Sequence, residues 1–151
     1  MLCAPSRETH FYGMLSNPKF ASRVFLLAGI YGILVLPPQY LAESGAGLAL
    51  PEPIRNPEHF YGFVGLALVW QLVFLLISRD VERYRPLMLI AVLEKLAFGV
   101  PVLILYARGR VNAVVLSFGL IDLVLGVLFL AAFFAGREVT AEFRRSTDVD
   151  A

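Results

Sequence analysis

The sequence predicts an all-α integral membrane protein, a four-helix bundle with its N-terminus and C-terminus both cytoplasmic. Three observations carry that reading: four long apolar stretches, a composition too hydrophobic for a soluble domain, and a one-sided distribution of positive charge. Of the 151 residues, 58% are hydrophobic and only 17% charged, and the mean hydropathy is +0.72. Soluble domains hold about 45–50% apolar and about 25% charged residues. A helix needs about 20 mainly apolar residues to cross a hydrocarbon layer about 30 Å thick. Residues 1–151 are therefore read as a single membrane domain with four such helices.

The first span covers about 20–36. Asn17-Pro18 opens it, because Asn can accept a backbone hydrogen bond as N-cap and proline's missing N–H costs nothing at the first helical position. Pro37-Pro38 ends it. Its uninterrupted apolar part, Val24 to Leu36, is short, so Arg23 is expected to snorkel towards the headgroups. A cleaved signal peptide is the competing reading of this segment, although Tyr40, two before Ala42, spoils a small-x-small cleavage site. An external loop, 37–59, follows. It carries Glu43, Glu52 and Glu58 and is expected to serve as a connector or a covering flap, with part of a ligand entrance as the alternative.

The second span, about 60–78, is opened by Asn56-Pro57 in the same way, with Asn56 as N-cap, and closes at Arg79-Asp80, with Trp70 and Gln71 near its centre. The third covers about 86–107, begins at Pro86 and has Gly109 placed as a C-terminal cap. Pro101 inside it removes the donor that the carbonyl of Ala97 would use, and a kink is expected there. The fourth, about 111–135, opens near Asn112 and is followed by Gly136 and Arg137. The charged cytoplasmic tail, 136–151, is expected to fray, with a helical extension over Val139 to Arg145 as the alternative. The tetrapeptide His-Phe-Tyr-Gly occurs at 10–13 and 59–62. Its aromatic residues suit the membrane interface and imply no duplication.

Positive charge orients the bundle. With the N-terminus inside, Arg7, Lys19, Arg23, Arg79, Arg83, Arg85, Arg137, Arg144 and Arg145 are cytoplasmic, whereas Arg55, Arg108 and Arg110 are external. That excess on one side is the positive-inside signal.

The thirteenth basic residue, Lys95, lies inside the third span beside Glu94, and Asp122 lies at similar depth in the fourth. Each charge at the centre of a spanning helix costs about 2.5–3.5 kcal/mol on insertion scales, so these residues need partners, a cavity or a function. Consecutive residues project about 100° apart on a helix, so Glu94 and Lys95 are expected to face different neighbours. Lys95 is then expected to pair with Asp122, leaving Glu94 to Gln71, to a proton or to a ligand. Small residues should allow close approach: Ala91, Lys95 and Gly99 on the third helix, Gly119, Asp122 and Gly126 on the fourth, Ala28 and Gly32 on the first. The candidate ligand-binding or proton-handling residues are Glu94, Lys95, Asp122, Gln71 and Trp70, and no catalytic residue can be assigned.

Several classes are excluded or disfavoured. A net charge of +1 without a long basic run argues against nucleic acid as a partner. Cys3, the single cysteine, permits neither a CxxC pair nor a cysteine zinc site, and His10 and His59 lack metal-site spacing. No metal and no cofactor is expected. The partners expected are the lipid bilayer and a membrane protein complex or second copies of the chain.

A small chain of four spans, with Glu94-Lys95 and Asp122 at mid-membrane and Arg-rich cytoplasmic ends, resembles the DoxX-like bacterial membrane proteins, which implies the bacterial cytoplasmic (inner) membrane as the host bilayer. That family includes proteins associated with quinone-linked oxidation of sulfur compounds, and the likeness is one of architecture. The missing cysteine pair departs from any thiol-redox role. A more distant similarity is to sterol-isomerase-like four-span proteins, whose membrane cavity uses acidic and aromatic residues; Trp70, Glu94 and Asp122 suit that chemistry. Two functions follow as expectations. One is a noncatalytic accessory subunit or small-solute or proton-handling protein. The other is a membrane enzyme acting on a lipid-soluble substrate such as a quinone or isoprenoid, with Glu94 or Asp122 as general acid or base and Lys95 as electrostatic partner.

Overall fold

A computed structural model describes residues 18–41 and 56–149, with side chains as far as residue 135. Helix α1 spans Pro18–Val35, α2 Pro57–Arg79, α3 Arg85–Ala107 and α4 Ala113–Val149, and a 3-10 turn, Pro37–Leu41, follows α1. All four helices are long and apolar enough to cross a membrane. Cys3, the first His-Phe-Tyr-Gly copy, Asn17, Ala42, Glu43 and Glu52 lie outside the described residues.

The helix boundaries obey local chemistry, with two departures from expectation. Helix α4 opens at Asn112 as anticipated, and that residue caps it, its Oδ1 accepting from the N–H of Val115 at 3.0 Å. Asn56 makes no side-chain cap bond to α2; Pro57 at the first position supplies the helical start instead. Gly109 ends α3 at φ 65°. There the N–H of Gly109 bonds the carbonyl of Tyr106 and that of Arg110 bonds Leu105, both at 2.9 Å. This paired closure needs the left-handed conformation that glycine adopts without a Cβ clash. The second departure is at the other end of α4. Rather than fraying after Gly136, the backbone takes the helical alternative and continues beyond Arg145 to Val149. Helix α3 is a single α-helix that contains Pro101.

Helix α3 packs along α4, α1 packs along α2, and α1 against α4 joins the two pairs, whereas α2 and α3 barely meet. Small residues explain the closest pairing. A Cβ at Gly99 would lie 2.6 Å from Leu123 Cγ, and one at Gly119 would lie 2.6 Å from Val102 Cγ1. Any larger residue at either position must displace the Leu123 or Val102 side chain or the helices themselves.

The core fills the end of the bundle that carries Arg79 and Arg85. Phe25 stacks on Phe129 with centroids 4.2 Å apart, and Phe74 meets Phe129 edge-on at 5.0 Å. Ile77, Met88 and the alanines 21, 28, 91 and 132 pack around them. Two polar ties reinforce this end: Ser22 Oγ donates to the carbonyl of Ser78 at 2.6 Å, and Arg85 Nη2 donates to that of Phe133 at 3.1 Å. The outward faces are apolar instead. Leu27 is 66% exposed and Val127 69%, which in hydrocarbon is the solvated state of such side chains. This is an integral membrane four-helix bundle.

Candidate functional site

Lys95 stands ten residues inside the start of α3 and twelve from its end, or about 15 and 18 Å along the axis at 1.5 Å per residue. Its ammonium lies 3.1 Å from Asp122 Oδ1 on α4 and 5.1 Å from the centre of the Phe74 ring on α2. The cross-helix pair therefore forms as its depth suggested. The backbone places Lys95 where Gly126 leaves room, since a Cβ on that glycine would stand 3.4 Å from Lys95 Cβ.

Glu94 departs from expectation. Its carboxylate also reaches the ammonium, with Oε2 at 3.2 Å and Oε1 at 3.5 Å. The 100° between consecutive residues describes where the Cβ atoms start, and the four-carbon lysine stem is long enough to swing its head between both acids. The contact with Glu94 is the weaker one. Only Oε1 has hydrogen-bonding alignment, at the outer limit of distance, and Oε2 is buried without a hydrogen bond. Gln71 does not serve Glu94 either: its Nε2 donates to the carbonyl of Ala67 one turn back, at 2.8 Å. A glutamine buried in a helix can satisfy its own backbone before reaching across a gap.

The gap is substantial. A cavity of about 1280 Å³ lies between the two helix pairs, with Tyr31 and Gly32 of α1, Phe63, Trp70 and Gln71 of α2, Leu93, Glu94, Lys95 and Phe98 of α3, and Phe118 and Asp122 of α4 on its walls. All five residues singled out from the sequence line it. Leu66 and Leu93 also line it, yet are 62% and 63% exposed. The cavity therefore opens sideways between α2 and α3, through the apolar surface that faces lipid. Phe63 and Phe98 approach across that opening with centroids 5.3 Å apart. Below the polar cluster the Phe25–Phe74–Phe129 stack closes the bundle.

Reading by residue type missed Phe74, Phe63 and Phe98. Phe74 lies three residues after Gln71 and Phe98 four after Glu94, so helical spacing puts each on the face of a polar residue already singled out. Phe63 carries no such signal. Among the described residues no three His, Cys, Asp or Glu side chains group as a metal site.

The arrangement has a definite chemistry. Two carboxylates share one ammonium at mid-membrane, at the floor of an apolar, aromatic-walled chamber with a lipid-side opening. Comparison with family models, curated proteins and solved structures yields no match to this chain.

Proposed function

We propose that this protein admits a small lipid-soluble molecule from the bilayer and holds its polar part against Glu94, Lys95 and Asp122, without chemically converting it. The observation that carries this reading is the cavity of about 1280 Å³ with a sideways opening and a charged floor. Pockets that take drug-sized ligands are about 300–1,000 Å³ and mostly apolar with a few convergent polar groups; this cavity is larger than that range and shares the apolar lining with a few polar groups. Buried ionisable residues at this depth cost insertion energy, and a ligand or proton pathway is the usual return for it.

The remaining parts of the proposal concern setting. The chain lies N-inside in a bacterial cytoplasmic membrane, acts as an accessory or small-solute-handling protein, alone or with copies of itself, and is DoxX-like in architecture. Orientation has its own test. In sealed cells an impermeant thiol reagent should leave Cys3 unlabelled and should label a cysteine replacing Ser44. Labelling of Cys3 in sealed cells reverses the topology.

Trp70 is the only tryptophan and lines the cavity, so its fluorescence reports occupancy. Titrating the protein in lipid nanodiscs with a short-chain quinone, an isoprenoid alcohol and a lipophilic amine should give a saturable change with at least one of them. Ala67→Phe, which fills the chamber beside Gln71, should abolish that change. Flat titrations with all three sink the proposal.

The weakly engaged Glu94 supports a second reading, an enzyme that moves a proton to or from a lipid-soluble substrate. Recovery of a chemically altered ligand by mass spectrometry, lost in Glu94→Gln, would replace the binding reading with this one.

A further inference from the structure

The ligand class can be narrowed, given the reading of the cavity as a ligand site: we propose that its occupant is a lipophilic organic monocation, taken up in exchange for one proton. The titratable groups facing the cluster are Tyr31 from α1, Glu94 and Lys95 from α3, and Asp122 from α4; α2 contributes Trp70, Gln71 and the Phe74 ring, and no charge. One ammonium balances one carboxylate. The second leaves an uncompensated negative charge in a low-dielectric chamber, where only a proton or another cation offsets it.

Geometry decides which groups an incoming molecule meets. The Lys95 side chain is 6% exposed, whereas those of Glu94 and Asp122 are each 17% exposed. The ammonium is enclosed by Asp122, Glu94 and the face of Phe74, so an anion or a carbonyl ligand finds its hydrogens already engaged. A cation finds carboxylates first. Around them, Phe63, Phe98 and Trp70 offer apolar sides to hydrocarbon substituents and π faces to positive charge.

The exchange balances without a redox or covalent step. The empty cluster holds one proton on its carboxylates and is neutral; the cation enters from the lipid side, the proton leaves to water, and the occupied cluster is neutral again. An amine that is protonated in water enters as its ammonium under the same balance.

Tetraphenylphosphonium is the probe, because it is lipophilic, aromatic and has no proton of its own. Its binding to the full chain in zwitterionic nanodiscs is followed by calorimetry in two buffers of different ionisation enthalpy. Saturable binding with about one proton released per cation is expected. Glu94→Gln and Asp122→Asn each leave one carboxylate for one ammonium, so each should weaken binding at least about tenfold and abolish proton release. Having both variants keeps the test decisive if one fails to fold.

Binding without proton release, or unchanged in both variants, overturns the cation proposal. So does equal binding of neutral triphenylmethanol, which leaves the broader lipid-soluble-ligand reading standing. If neither compound binds, the cation proposal falls, and the broader reading falls with it only when the Trp70 titrations above are also flat.

Discussion

The two halves of this bundle use the same four helices to opposite ends. Towards Arg79 and Arg85, three phenylalanines interlock and alanines let the helices close on them. Towards Asn112, α2 and α3 diverge, and aromatic side chains line a chamber instead of filling it. The charged cluster sits at the boundary. The protein concentrates its packing in one half and leaves the other half open, with the buried charges at the floor of the chamber. That division suits the proposed uptake of a molecule from the bilayer, since the packed half holds the scaffold while the open half takes the ligand.

Truncating one aromatic ring in each half should separate the two most clearly. Phe129→Ala removes a fully buried ring from the centre of the stack and should cost about 3–5 kcal/mol of unfolding free energy in detergent or bicelles. Phe98→Ala, in the open half, should cost under about 1.5 kcal/mol, because no tight core collapses around it. Equal losses in chemical denaturation would show that the halves do not differ mechanically.

The boundary is tested by its ion pair. Lys95→Met strands the buried carboxylates, and Asp122→Leu leaves the ammonium with only its weaker partner. Each should lower stability by about 3 kcal/mol. The double variant should recover part of that loss, since a double-mutant cycle over directly interacting groups is non-additive. Strict additivity would deny the pairing seen at 3.1 Å.

The smallest effect separates two asparagines that look equivalent in sequence. Asn112→Ala removes a formed cap bond and should cost about 1 kcal/mol. Asn56→Ala removes none, and its cost should stay within about 0.5 kcal/mol. Thermal unfolding of the two variants side by side resolves the difference, and a larger loss from Asn56→Ala would contradict the cap assignment.

What was legible in the sequence was whatever depends on neighbours along the chain. The four spans followed from apolar length against bilayer thickness. The Gly109 ending and the Asn112 start followed from backbone chemistry confined to one turn. The shared depth of Glu94, Lys95 and Asp122 followed from counting at a fixed rise per residue, and Gly99 and Gly119 announced the close α3–α4 approach.

Tertiary structure decided the rest, because it depends on which faces meet. Helical projection separates Glu94 from Lys95, yet the bundle leaves space for the lysine head to turn back between two acids. Gln71 suits a partner for Glu94 by depth, but the divergence of α2 from α3 removes the short path, and it bonds its own helix instead. That divergence also creates the chamber. No local pattern encodes it, since consecutive helices joined by a short connection ordinarily pack together; it arises because α1 and α4 make the better-fitting partners for α2 and α3.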